Sequence, residues 1–228
     1  MSEALAVALA LAYGYLVGSI PTAYLAGRWV KGIDLRRYGS GSIGGSNVVA
    51  HVGKAYFVPV VAFDLLVKGT TTVLLAGALG LGEGLQAMAG LTAVSGHNWS
   101  LYLRFSGGRG LSTALGVLTI LGWRELVILA SLGLIGWSVL RSSGLLFFIG
   151  IVILPLASLL FREPSAVTVF TTGFLTLTVA RRLTAGGSMS AQGTGWGQVL
   201  LNRLLFDRDV ADRDAWKHRT PKGRQGEG

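Results

Sequence analysis

The stretch Ala55-Tyr-Phe-Val-Pro-Val-Val-Ala-Phe-Asp64-Leu-Leu-Val-Lys68-Gly-Thr-Thr-Thr-Val-Leu-Leu-Ala-Gly-Ala-Leu79 decides the fold class of this chain. It exceeds the ~20 apolar residues that a helix needs to cross ~30 Å of hydrocarbon. Its two charges, Asp64 and Lys68, stand at i and i+4 and therefore on one helix face, where each would be costly if left alone in lipid. Together they can neutralise each other. Two readings follow: an ion pair that fixes helix packing, or an electrostatic support at the base of a site.

Outward from this segment, further apolar stretches lie near Ala4 to Gly27, Leu85 to Gly96, Leu111 to Gly122, Leu126 to Leu140, Gly144 to Phe161 and Ser165 to Ala180. That makes seven spans. Leu85 to Gly96 and Leu111 to Gly122 are short for a straight crossing, so tilt, extension into polar flanks or partial entry is expected of them. The whole composition agrees, because a chain of 228 residues with 51% hydrophobic and 14% charged residues and a mean hydropathy of +0.56 is not a soluble monomer. The 34 glycines follow no collagen-like period and suit close-packed membrane helices and tight loops. The absence of cysteine excludes disulfides, zinc ribbons and thiol nucleophiles. With Glu3 in place of a basic leader and no small-residue cleavage site, the first segment reads as a retained helix. The fold class is all-α integral membrane protein, about seven transmembrane helices with cytoplasmic glycine-rich loops.

Orientation follows from the loops that carry Lys and Arg. With seven spans, one side receives Arg28, Lys31, Arg36, Arg37, Lys54, Arg104, Arg109, Arg141 and the basic tail from Arg181 onward. The other receives Arg124 and Arg162, offset by Glu83, Glu125 and Glu163. This asymmetry puts the N-terminus outside and the C-terminus in the cytoplasm, together with the loops Arg28 to Lys54 and His97 to Gly110. Residues 1–185 then form the transmembrane unit and residues 186–228 a cytoplasmic tail. Within the tail, Trp196, Val199, Leu200, Leu204 and Leu205 recur at helical spacing and predict a short interfacial amphipathic helix. The net charge of +9 is interleaved with Asp207, Asp209, Asp212 and Asp214 in the tail. Anionic lipid headgroups are therefore the expected partner, and nucleic acid is not.

Two cytoplasmic loops carry the chemistry. The first reads Gly39-Ser-Gly-Ser-Ile-Gly-Gly-Ser-Asn47, and the second reads Gly107-Gly-Arg-Gly110. Glycines allow backbone amides to turn inward and bind phosphate oxygens, although either loop alone could simply let helices turn at the membrane surface. Two such loops on one face favour an anionic ligand. His97 caps a helix end or faces a phosphate, and the second role is favoured by its sharing a loop with Arg109. His51 reads as a solvated interfacial histidine. Neither a nucleophile–base order nor a metal-ligand cluster is visible, so no metal and no cofactor are expected.

The runs Gly18-Ser-Ile-Pro-Thr, Gly32-Ile-Asp-Leu-Arg, Gly39 to Asn47, Lys68-Gly69, Gly96-His97, Leu103-Arg-Phe-Ser-Gly-Gly-Arg-Gly110 and Ser112-Thr-Ala-Leu-Gly116 resemble the bacterial acyl phosphate:glycerol-3-phosphate acyltransferases, the PlsY family. The resemblance covers roughly residues 10 to 145, with the motifs in the family's order and spacing. It implies a seven-helix enzyme of the bacterial inner membrane that acylates glycerol 3-phosphate from acyl phosphate. It further implies one phosphate nest at Ser40, Gly41, Ser42, Gly44 and Asn47, and another at Gly107, Gly108 and Gly110 with Arg109 as main cation. Lys68 and His97 join the catalytic set, Asp64 supports Lys68, and Ser142 or Ser143 matches a family serine.

Departures from the family pattern are equally specific. Ser42 stands where asparagine is usual, Ala50 where arginine is, and Arg109 where lysine is. Asp64 and Lys68 are four apart where three is common, and Leu175 to Ala180 replace a His-Arg-Glu-Asn run. Two further functions fit such a chain: a catalytically silent homologue that binds lipid phosphates or a partner, and a small-anion transporter. The second would need polar residues along several spans, and only Asp64 and Lys68 are clearly intramembrane.

Overall fold

The computed structural model describes residues 1–39, 41–138, 143–184 and 196–207. Ser40, Ser142 and the side chain of Ser143 lie outside the described residues. Among the described residues every regular element is a helix.

Helix α1 (Glu3–Gly18) starts at Ser2, whose hydroxyl accepts a hydrogen bond from the Leu5 amide. The apolar run from Ala4 to Gly27 was expected to form one rod, but it breaks at Ser19-Ile-Pro21 and resumes as α2 (Thr22–Lys31). Proline has no N–H to donate and pushes its predecessor out of the helical region, so the break falls where the covalent chemistry puts it. Helix α2 is amphipathic, with Arg28, Trp29 and Lys31 exposed, and ends at Gly32 in the left-handed conformation.

The loop that follows has a core of its own. Leu35, Ile43, Val48, Val52 and Leu103 pack under it against Ala23 of α2, and a short helix α3 (Gly45–His51) lies across its end. Asp34 closes the first turn, accepting hydrogen bonds from Arg36 N at 3.1 Å and Arg36 Nε at 2.9 Å. The guanidinium beside it holds the Asp34 carboxyl below its ordinary range. His51 is not simply solvated: it is half-buried, with its ring 5.4 Å from that of Tyr38.

The deciding stretch forms one continuous rod of three parts: α4 (Phe57–Ala62), a π-helical segment Phe63–Thr70, and α5 (Thr71–Ala78). The remaining helices are α6 (Glu83–Asn98), α7 (Leu111–Leu121), α8 (Trp123–Ser138), α9 (Ser143–Leu160), α10 (Ser165–Thr184) and α11 (Trp196–Phe206). Helix α6 is central and packs against α1, α5, α7 and α10. The main core joins Val94, Val117, Leu118, Leu129, Leu154, Phe170 and Phe174. Where α7 crosses the π-helical segment the backbones touch. A Cβ built on Gly116 would lie 2.0 Å from the Leu65 carbonyl oxygen, and one on Gly69 would lie 2.2 Å from that of Thr113. Small residues at a helix crossing are the usual way to gain packing contacts where lipid supplies no hydrophobic drive.

The exterior is apolar as well, with Leu134, Leu156, Leu159 and Leu160 all more than half exposed. Glu3–Lys31 and Lys54–Ala78 are helical runs long and apolar enough to cross a bilayer, while Leu111–Leu121 and Gly144–Leu160 are shorter apolar helices. Glu125, read from sequence as a loop charge, instead sits fully buried in the first turn of α8. The tail forms a helix, α11, over the residues whose spacing predicted one. It contacts α9 and α10, with Val199 fully buried and Trp196 and Leu200 exposed.

Candidate active site

The break after α1 places Thr22 at the start of α2, facing the rod. Its hydroxyl donates to Asp64 Oδ1 at 2.6 Å, and the same carboxylate oxygen lies 2.6 Å from Lys68 Nζ. Lys68 Nζ also stands 3.5 Å from Thr22 Oγ1 and 3.3 Å from His97 Nδ1. Asp64, Lys68 and His97 are 2%, 1% and 5% exposed, so the cluster is closed to bulk water. An ammonium has three donors and no acceptor, and all three are matched here. With Lys68 donating, His97 Nδ1 accepts, which leaves the ring proton on Nε2. Thr22 was not singled out from the sequence as a site residue, although it closes the quoted Gly18-Ser-Ile-Pro-Thr run.

His97 joins this buried cluster to both glycine-rich loops. Its carbonyl accepts from the Gly108 amide at 3.0 Å. A Cβ built on Gly108 would lie 2.2 Å from His97 Nε2 and 2.9 Å from the Ile43 carbonyl oxygen of the first loop. Gly107 lies as close to the end of α6, since its Cβ would come within 2.3 Å of the His97 and Asn98 carbonyl oxygens. These glycines let one loop lie flat on the helix end and on the other loop. Gly110 follows with φ at +70° and caps α7.

The expected phosphate ligands have mixed occupations. Asn47 is buried, and its amide nitrogen donates to the carbonyls of Leu35, Tyr38 and Ser42 at 3.0 to 3.1 Å. It therefore holds the first loop's shape from within. Gly41 turns that loop with φ at +68°, its amide bonding the Tyr38 carbonyl at 2.9 Å. Gly44 precedes α3, and Ser42 lies near it, half-buried. Beside the second loop, the Asn98 amide and the Thr113 hydroxyl are fully buried without hydrogen-bond partners among the described residues. Unsatisfied buried polar groups are rare, and here two of them flank the start of α7.

Arg109 is not free. Its Nε donates to Asp207 Oδ2 at 2.9 Å, Nη2 lies 2.7 Å from Asp207 Oδ1, and Nη1 donates to the Arg181 carbonyl at 3.3 Å. Arg181 in turn grips the loop backbone, donating from Nε to Gly108 O at 3.1 Å and from Nη2 to Gly107 O at 2.8 Å. Both Arg181 and Asp207 were read from sequence only as tail charges. Their partners stand more than 70 residues earlier, a separation at which no local pattern exists.

Residues 8–185 match the family model for glycerol-3-phosphate acyltransferase. The chain belongs to the glycerol-3-phosphate acyltransferase family. Over 213 residues, 90% of each chain, it is 40% identical to glycerol-3-phosphate acyltransferase 5 of Dehalococcoides mccartyi. A glycerol-3-phosphate acyltransferase of Synechococcus sp. is 50% identical over 126 residues, covering 55% of this chain and 62% of the relative. Among solved structures, the crystal structure of PlsY, an integral membrane glycerol 3-phosphate acyltransferase, in its glycerol 3-phosphate form matches with a TM-score of 0.69 at 28% identity. That match covers 77% of this chain and 88% of PlsY. The lysophosphatidic acid form of PlsY matches with a TM-score of 0.67 at 27% identity. This member of the acyltransferase family is accordingly an integral membrane protein, as its hydropathy required.

Proposed function

We propose that this chain transfers a fatty acyl group from acyl phosphate to the 1-hydroxyl of glycerol 3-phosphate, giving 1-acylglycerol-3-phosphate for phospholipid synthesis. The observation that carries the reading is the junction at Gly108, where His97 and both glycine-rich loops meet. A reaction between two phosphate-bearing substrates needs two anion-binding elements in contact, and the main catalytic contribution expected of them is positioning and charge stabilisation.

In this reading the glycerol phosphate hydroxyl oxygen bonds to the acyl carbonyl carbon, the bond from that carbon to the phosphate oxygen breaks, and the departing phosphate accepts the hydroxyl proton. No acyl-enzyme forms. Backbone amides of Ile43 and Gly44 and of Gly107, Arg109 and Gly110 face the phosphates, with Arg109 as the nearby cation, while the Gly41 and Gly108 amides hold the loops in shape through the Tyr38 and His97 carbonyls. Asn47 shapes the first loop, and the Asn98 amide and Thr113 hydroxyl serve the second. His97 presents Nε2–H at the junction, while Lys68, neutralised by Asp64, orients the ring through Nδ1. Ser40 and Ser142 or Ser143 keep the roles that the resemblance implies. The acyl tail leaves sideways into lipid.

The deciding assay supplies purified protein with glycerol 3-phosphate and one of three donors: acyl phosphate, acyl-CoA or acyl carrier protein. Turnover with acyl phosphate alone is expected. Equal turnover with acyl-CoA would overturn the donor assignment, and binding of acyl phosphate without turnover would favour a silent homologue. In the same assay Arg109→Ala should lower activity by about 10- to 150-fold, the equivalent of roughly 1.5 to 3 kcal/mol for a charge-assisted hydrogen bond, while Arg124→Ala should not. Equal activity of the two variants would remove Arg109 from the site.

The topology that goes with this function has seven spans, residues 1–185 as the membrane unit, an outside N-terminus and a cytoplasmic C-terminus in the inner membrane. It rests on the charge asymmetry between loops. Reporters placed at Arg109 and after Gly186 should both read as cytoplasmic, and one near Arg162 as outside. A reporter at Arg162 on the same side as Arg109 would sink the seven-span count.

A further inference from the structure

We propose that Asp207 is a positioning residue for acyl transfer, fixing the edge of the Arg109 guanidinium that is left for a substrate phosphate. The proposal rests on Arg109 facing a phosphate, as argued above. Asp207 lies outside residues 8–185, the segment that the family model matches.

Three observations carry it. First, Asp207 is held by a docked helix. Arg182, 5% exposed, donates to the carbonyls of Leu204 and Leu205 at the end of α11 and to that of Gly144 in α9, and its guanidinium lies 4.5 Å from the Phe148 ring centroid. Arg203 of α11 donates to the Leu183 carbonyl of α10 at 3.4 Å. The Asp207 amide bonds the Arg203 carbonyl at 3.1 Å, and its φ of +59° ends the helix in a left-handed turn that aspartate tolerates better than most residues.

Second, the contact geometry is selective. Arginine carries five N–H donors in a rigid fork. Asp207 engages Nε and Nη2, and the Arg181 carbonyl takes one hydrogen of Nη1. N–H donors remain on both terminal nitrogens, and such donors bind phosphate oxygens well. Asp207 thus leaves a phosphate-binding edge open and points it.

Third, charge requires a carboxylate here. Arg109 contacts Arg181, and both sit on the Gly107–Gly110 loop. Without Asp207 the two cations face each other with no counterion among their described contacts. The same geometry accounts for arginine at position 109 where the family pattern has lysine: a lysine is a point charge that a carboxylate can neutralise but cannot orient.

The test is steady-state kinetics on the purified full-length protein with acyl phosphate and glycerol 3-phosphate both varied. The variants are Asp207→Asn, Asp207→Glu, Arg109→Lys, Arg109→Ala and Asp207→Asn with Arg109→Lys. Each is also followed by thermal melting. Asp207→Asn should lower kcat by about 10- to 100-fold, the range that an ångström-scale misplacement of a catalytic group produces, with a melting temperature near that of the parent. Asp207→Glu should recover much of the loss. Arg109→Lys should lose activity in the parent background and little more in the Asp207→Asn background, because the fork has already lost its guide. Parental kinetics for Asp207→Asn, raised activity in it, or a loss that follows melting temperature alone would overturn the proposal. If Arg109→Ala is impaired while Asp207→Asn is not, only this inference fails. If Arg109→Ala is unimpaired, the role of Arg109 fails and takes this inference with it.

Discussion

Asp64→Ala is expected to lower the stability of this acyltransferase by about 3 to 5 kcal/mol and to abolish acyl transfer. The figure is that for breaking a buried ion pair from one side, and the cluster here is closed, with Lys68 at 1% exposure. Loss of the carboxylate leaves the ammonium with only Thr22 and His97 as partners, neither of which carries a compensating negative charge. Lys68→Ala should cost a similar amount by stranding Asp64. The double change Asp64→Leu with Lys68→Leu should recover most of the stability, since apolar replacements of a buried pair are often neutral or better. Recovery should stop short of complete, because the Thr22 hydroxyl and His97 Nδ1 each lose a partner at about 1 to 3 kcal/mol for an unsatisfied buried group. Activity should not return with stability, because nothing then orients the His97 ring toward Gly108. Melting temperature and acyl transfer measured on all three variants decide the matter. A double variant both stable and fully active would reduce the pair to a packing device.

Gly108→Ala is expected to lower acyl transfer by roughly 100-fold or more, the cost of an ångström-scale misplacement at a reacting centre, while changing helical content little. The added methyl would sit 2.2 Å from His97 Nε2 and 2.9 Å from the Ile43 carbonyl oxygen. Neither neighbour can yield cheaply. The His97 ring is held at Nδ1 by Lys68, and Ile43 belongs to a loop with its own buried core. The loops must therefore part. Overpacking of this kind adds a stability cost of about 1 to 3 kcal/mol. Gly84→Ala, in the first turn of α6 at a glycine whose added Cβ meets nothing within 4 Å, serves as the control far from the site and should retain activity. Near-parental activity in Gly108→Ala would mean that the substrates are not bound where the two loops meet.

The membrane character of the chain was legible because lipid leaves a crossing segment few options: its backbone must be satisfied internally, and its side chains must be apolar. That rule reads well from hydropathy and poorly for breaks. Pro21 was in plain view, yet the apolar run from Ala4 to Gly27 continues across it, so an unbroken helix was expected where one apolar run holds two helices. Glu125 shows the converse limit. A carboxylate beside Arg124 at the end of an apolar run reads as a loop charge, and only packing reveals that α8 begins early enough to bury it.

The site was half legible. Glycine, histidine and arginine announced themselves by type and spacing, but their occupations depended on partners remote in sequence. Thr22 meets Asp64 across 42 positions, and Arg181 meets Gly108 across 73. Asn47 shows why residue type alone does not settle a role, since the amide that could donate to a phosphate donates instead to three carbonyls of its own loop. The spacing of Asp64 and Lys68 has a physical answer in the π-helical segment. A π-turn accommodates one residue more than an α-turn, so a pair four apart still shares one face there, as their 2.6 Å contact requires.

The clasp between Arg109 and Asp207 also orders events during synthesis. Ribosomes add about 5 to 20 residues per second, and 98 positions separate the two residues. Arg109 is therefore made roughly 5 to 20 s before its carboxylate exists. Throughout that interval the second loop can already lie on the end of α6, because the groups that seat it there are in the first half of the chain. For most of that interval it lacks Arg181, which grips its backbone, and to the end of it the loop lacks Asp207, which follows α11. A chain stopped by a premature termination codon before residue 181 would insert most of its helices and stay permanently in that half-built condition, so the loop is closed by parts made late in translation.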